Sequence, residues 1–184
     1  MAWKYYSLEQ HGLEKNGLEQ NDQKFHTLDQ IAQKLVLGAK ERVVLDDKGR
    51  VVLDTKGRSK NALNQSFKMR EAVAYGLERF WGEHLRFRVK SNDSRDEFGI
   101  KSQYWKETWD DLVAVMDKAG VVIPNDPIDV DRPDTVKSMA QKLWNLKIED
   151  QRIILAVLTQ LCDCIVWWTQ RYKGPSDLTV DDDN

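Results

Sequence analysis

The stretch QRIILAVLTQLCDCIVWWTQRYK, residues 151–173, decides the fold. Apolar residues fall almost all round a helical projection from Ile153 to Trp168, the pattern of a helix with neighbours on several sides. Glu149 and Asp150 stand just before it, and Arg171 and Lys173 stand at its end. Acids at the N-terminus and cations at the C-terminus complement the helix dipole. Gly174-Pro175 then stops the helix. Thr159, Gln160 and Asp163 interrupt the apolar run, which reads as too short and too polar to span a bilayer. A central helix requires others around it.

Four more helices are predicted. Thr27-x-x-Gln30 is a capping box, and Leu28, Ile31, Leu35 and Ala39 recur at helical spacing, giving a helix over 27–42. Leu63, Phe67, Ala74, Leu77 and Trp81 form one stripe of a helix over 61–85. Trp105, Trp109, Leu112 and Met116 mark a third over 101–119, stopped by Gly120. Val136, Met139, Leu143 and Trp144 mark a fourth over 135–145, capped by Asp134. Between the last two, residues 121–134 carry three prolines and read as a tethered loop. The fold class is mainly α, a single-domain bundle of about five helices.

Two segments depart from helical periodicity. Residues 43–50, VVLDDKGR, are followed at once by VVLDTKGR, residues 51–58. Val-Val-Leu favours extended chain and Asp-x-Lys-Gly a turn, so the pair predicts one small β-hairpin over 43–58. The copies differ only by Asp47 against Thr55, so they also predict that the register can slip by eight residues. Leu85, Phe87 and Val89 alternate with Arg86, Arg88 and Lys90, the signature of a strand with a basic face.

The helical domain is set at 25–174. Residues 1–24, with a five-residue repeat matching neither helix nor strand, read as an irregular N-terminal arm. Residues 175–184 read as an acidic disordered tail.

The chain has 184 residues, long enough for one real core. Net charge is −2, unevenly spread: +1 over residues 1–59, +4 over 60–106 and −7 over 107–184. Seven tryptophans exceed ordinary usage and point to packing against a partner. The two cysteines, Cys162 and Cys164, project about 200° apart on a helix and have no second pair to complete a zinc site. They read as reduced structural thiols of a cytoplasmic protein. His11, His26 and His84 lie on separate elements, so no metal site is expected. Neither G-x-G-x-x-G nor G-x4-G-K-[ST] occurs, and Asp126, Asp129, Asp131 and Asp134 lack the glycine and glutamate of a calcium loop. No cofactor and no small-molecule substrate are expected.

The basic set Lys68, Arg70, Arg79, Arg86, Arg88 and Lys90 is interleaved with Phe67, Phe80, Trp81 and Phe87. Clustered cations and aromatic rings make a sequence-independent nucleic-acid surface. The same pattern also fits a solvated helix face opposite an apolar stripe.

Two resemblances bear on function. Arg79 and His84 are separated by four residues in RFWGEH, which resembles the R-x4-6-H motif of the HEPN ribonucleases. That resemblance implies an all-helical, metal-independent ribonuclease, with Arg79 on the scissile phosphate and His84 in proton transfer. Five positions amount to about 140° on a helix, so the two do not share a face well. The second resemblance rests on TLDQIAQKL and on LWNLKIEDQRIILAVLTQLCDCIVWWTQRYK. These are similar to helices of the small subunits of type III CRISPR RNA-guided effector complexes. It implies a non-catalytic helical subunit that binds RNA backbone through Lys and Arg, stabilises the guide–target duplex and contacts other protein subunits. A protein-interaction module without nucleic acid is the third alternative.

Overall fold

The computed structural model describes residues 27–173, apart from 56, 58, 89 and 91–94. The expected arm over 1–24 and tail over 175–184 lie outside the described residues. Six α-helices form among those described: α1 (Leu28–Glu41), α2 (Gln65–Ala72), α3 (Leu77–Arg88), α4 (Glu97–Lys118), α5 (Pro133–Trp144) and α6 (Ile148–Tyr172).

The α1 capping box forms as its sequence predicts. The Thr27 hydroxyl accepts from the Gln30 amide, and the Gln30 side chain accepts from the Thr27 amide at 2.9 Å. The helix expected over 61–85 is instead two helices. A 3-10 turn, Val73–Tyr75, leads to Gly76 at φ 96° and ψ 172°, a conformation nearly closed to residues with a side chain. The chain breaks there and restarts as α3. The alternation from Leu85, which also fits a strand, resolves as helix, since α3 runs to Arg88. Leu77, Phe80, Trp81, His84 and Leu85 are buried at i, i+3, i+4, i+7 and i+8. That helical stripe prevails over the short alternation that follows it.

Helix α6 buries Ile154, Leu158, Leu161, Cys162, Ile165 and Thr169 against α1, α2 and α4. By length and composition it is long and apolar enough to cross a membrane, contrary to the reading of its polar interruptions. It is not surrounded on all sides, because Ile153 and Trp167 are exposed. The more central helix is α4, which packs on α1, α2, α3 and α6 and buries Tyr104, Trp105, Trp109, Leu112 and Met116.

The hairpin over 43–58 is not present. No ladder forms among the described residues, only isolated antiparallel bridges Leu45–Val51 and Leu53–Ser59. The reason is a three-way closure. The Val52 amide donates to Val44 O (2.8 Å), the Lys60 amide to Val52 O (3.1 Å) and the Val44 amide to Lys60 O (2.9 Å). Positions 44, 52 and 60 are eight apart, so each octapeptide is one loop between two corners of a hydrogen-bonded ring. Gly49 and Gly57 hold equivalent left-handed positions at φ 72° and 75°. Val44 is buried and Val52 packs against the core, which fixes the ring to the helices.

Candidate nucleic-acid interface

Helix α3 carries most of the expected basic residues and divides them between two faces. Arg79, Glu83, Arg86 and position 90 recur at spacings of four, three and four, so they line one side of the helix and its extension. Exposed rings stand at both ends of this ridge. Arg79 lies over Tyr75, which is 66% exposed, at 5.6 Å. Lys90 lies over Phe98 at 5.9 Å. Arg86 lies over the buried Phe87 ring and also bonds Glu83 at 2.6 and 2.8 Å. One carboxylate therefore competes for the middle of the ridge.

Arg88 is nine residues from Arg79, about 180° round the helix, and belongs to the opposite face with Trp81 and His84. These three line a cleft of about 750 Å³ between α3, α4 and the proline-bearing segment. Lys68 and Arg70 stand apart on α2. Lys68 is exposed, and Arg70 is paired with Asp163 of α6. The structure thus brings together Arg79, Arg86 and Lys90, and leaves Lys68, Arg70 and Arg88 elsewhere.

Arg79 and His84 do not meet. Arg79 is exposed beside Tyr75, whereas His84 is 4% exposed and its Nδ1 bonds Trp81 O. A carbonyl accepts only, so Nδ1 carries the proton and Nε2 is left as an acceptor. Burial lowers the His84 pKa to about 4, with Lys106 and Arg88 adding repulsion. At neutral pH His84 is an uncharged imidazole.

The cleft was not foreseen from the sequence. Ser102 Oγ donates to His84 O at 2.8 Å. Lys106 pairs with Asp110, which also accepts from Asn125 Nδ2 at 2.8 Å and so ties the proline segment to α4. Asp126 pairs with Lys142 of α5 at 2.6 Å. Glu107 is gripped by the Arg42 guanidinium at 2.5 and 2.8 Å and by Gln103 at 3.0 Å. A usable signal was present: the stripe 77, 80, 81, 84, 85 next reaches position 88, where a cation stands instead of an apolar residue.

Among the described residues no group of three His, Cys, Asp or Glu is placed to hold a metal ion. Cys162 is buried, which raises its thiol pKa to about 12, and Cys164 is raised to about 11 by partial burial and nearby Asp29. Both are thiols at neutral pH. No known family model, curated protein or solved structure matches the chain.

Proposed function

We propose that the chain is a non-catalytic, RNA-backbone-binding subunit of a ribonucleoprotein assembly, of the kind its helices resemble in type III CRISPR effector complexes. The observation that carries this reading is the α3 ridge: Arg79, Arg86 and Lys90 in one line, with the exposed rings of Tyr75 and Phe98 at its ends. Cations along one line suit a phosphate backbone, and flanking rings accept bases by stacking worth roughly 1–3 kcal/mol each. Exposed Trp144, Ile148, Ile153 and Trp167 supply apolar area for neighbouring protein subunits. A cytoplasmic location accords with two cysteines held as thiols.

The ribonuclease reading gains no support from the geometry, because the Arg79 guanidinium and the buried His84 ring face different ways. RNA incubated with the protein is expected to stay intact; cleavage abolished by His84→Ala would overturn the non-catalytic reading.

Backbone binding is tested by salt. Three phosphate contacts on a single strand give a slope of log K against log salt of about −2. Arg79→Ala with Arg86→Ala should flatten that slope towards roughly −1. RNA binding insensitive to salt, or no RNA binding, sinks the proposal. Co-purification with protein partners and no nucleic acid would favour the protein-interaction alternative.

A further inference from the structure

Helix α6 is covered on one side only. Ile154, Leu158, Leu161, Cys162, Ile165 and Thr169 are buried against α1, α2 and α4. Yet only 33% of its most apolar 18-residue stretch is buried. On the other side Ile153 is 49% exposed and Trp167 44%. Large apolar side chains gathered on one exposed helix face mark an interaction surface.

The order of residues along that face points to what covers it. Gln160 is exposed at its middle. Ala156, Ile153 and Glu149 precede Gln160 by four, seven and eleven residues, and Cys164, Trp167 and Arg171 follow it by four, seven and eleven. All seven fall within an arc of about 80° round the helix. The spacing is the same read in either direction from Gln160, and the charges at its two ends are opposite. Neither Glu149 nor Arg171 has an ion pair among the described residues. Arg171 lies over the Trp167 ring at 3.0 Å and donates to Trp167 O at 2.9 Å. At the edges of the face stand Asp163, already paired with Arg70 of α2, and Arg152, whose side chain is exposed.

We infer that α6 pairs with α6 of a second copy of this chain, antiparallel, about a two-fold axis at Gln160. A two-fold interface must be self-complementary, and this face is. Each position meets the one equally far on the other side of the axis. Glu149 faces the partner's Arg171, Ile153 faces the partner's Trp167 and Ala156 faces the partner's Cys164, each contact occurring twice. On the axis the two Gln160 amides meet, and each carries both the donor and the acceptor that the other needs. A parallel pair would set Glu149 on Glu149 and Arg171 on Arg171, and like charges oppose association. The strip is about 33 Å long and about 10 Å wide. That is less than the roughly 800 Å² per partner of a standard interface, so the pair is weak, with an expected Kd of about 10 μM. The inference rests on the reading above only in giving this face to a protein neighbour, and it does not depend on RNA.

The test uses the full chain without nucleic acid. Sedimentation equilibrium is expected to show monomer and dimer in exchange. Trp167→Ala removes the largest apolar contact twice per dimer and should weaken dimerisation about tenfold or more. Glu149→Arg and Arg171→Glu should each weaken it, and the double variant should restore it. Position 160 reports the register. Gln160→Cys combined with Cys164→Ser should form an intermolecular disulfide under mild oxidation, because the two thiols meet on the axis. The native Cys164 thiols lie about 12 Å apart along the pair, out of disulfide reach, so the wild type should not cross-link. Circular dichroism of each variant should match that of the wild type. A wild type still monomeric at about 100 μM, alone or bound instead to phosphatidylcholine vesicles, overturns the inference. So does a dimer that is unaffected by Trp167→Ala, that is not restored by the double charge swap or that fails to cross-link at position 160. A monomeric wild type that binds RNA overturns this inference alone, whereas a dimer that binds no RNA supports it and sinks the reading of the α3 ridge.

Discussion

His84 is the residue where sequence and structure diverge most in meaning. In the sequence it stands beside Arg79 in a ribonuclease-like spacing; in the fold it is a buried neutral imidazole bonded to Trp81 O and flanked by Arg88. The sequence fixes spacing along the chain, but it does not say which side of α3 faces α4. That packing decides whether His84 shares a face with Arg79 or with Arg88. The burial has a thermodynamic consequence. The folded pKa of about 4 lies below the unfolded value of about 6.5. Between these values the unfolded chain takes up a proton that the native protein does not. The stability from keeping His84 neutral is therefore present above about pH 6.5 and is lost as pH falls through 4. Carboxylates shift stability with pH as well, so the comparison must be with a variant. Between pH 7 and pH 5 the wild type should lose roughly 2 kcal/mol more than His84→Gln in urea unfolding. Parallel losses would mean that His84 is not held neutral by burial.

At the scale of elements, long periodic segments were legible and short ones were not. α1, α4, α5 and α6 follow from apolar spacing, with ends shifted by a few residues; Asp134, expected to cap α5, lies inside its first turn, because the helix already starts at Pro133. The break between α2 and α3 was missed because Gly76 looks, in sequence, like a tolerated glycine inside a helical stripe. Its φ of 96° with ψ 172° makes it a joint. No atom lies within 4 Å of a Cβ built there, so Gly76→Ala meets only backbone strain. The expected loss is about 1–3 kcal/mol in chemical denaturation, and an unchanged stability would mean the joint relaxes freely. The octapeptides were read as two strands of one hairpin, with a register free to slip. Their copies are not alternatives, because corners 44, 52 and 60 are hydrogen-bonded to one another at once. The amides of Val44, Val52 and Lys60 should therefore be protected together against hydrogen exchange. Val52→Pro removes one donor from the ring, and protection at Val44 and Lys60 should fall with it. Retained protection at both would show that the corners are held independently.

At the scale of the whole molecule, helix order was readable but helix partners were not, because partners depend on residues far apart in the chain. The clearest case is polar. Ser66 of α2, Tyr104 of α4 and Thr169 of α6 are all buried, and their hydroxyls form a chain: Thr169 to Ser66 at 2.7 Å, Ser66 to Tyr104 at 3.0 Å. Thr108 adds a bond from its hydroxyl to Tyr104 O at 2.9 Å, and Trp105 donates to Gln65 at 3.2 Å. Each of these residues looks like an ordinary polar member of an amphipathic helix until three helices bring them together. Burial raises the Tyr104 pKa, so it stays a neutral phenol throughout the physiological range. Apolar contacts tolerate sliding and rotation between helices, whereas this chain of hydroxyls is satisfied in one arrangement only. Tyr104→Phe and Thr169→Val should each cost about 1–2 kcal/mol, since each leaves a buried partner short of a bond. The double variant should cost less than the sum, because the second substitution removes a group the first has already weakened. A coupling of roughly 0.5 kcal/mol or more in a double-mutant cycle is the expected result. Strict additivity would mean that the two ends of the chain act separately and that apolar packing alone sets how α2, α4 and α6 meet.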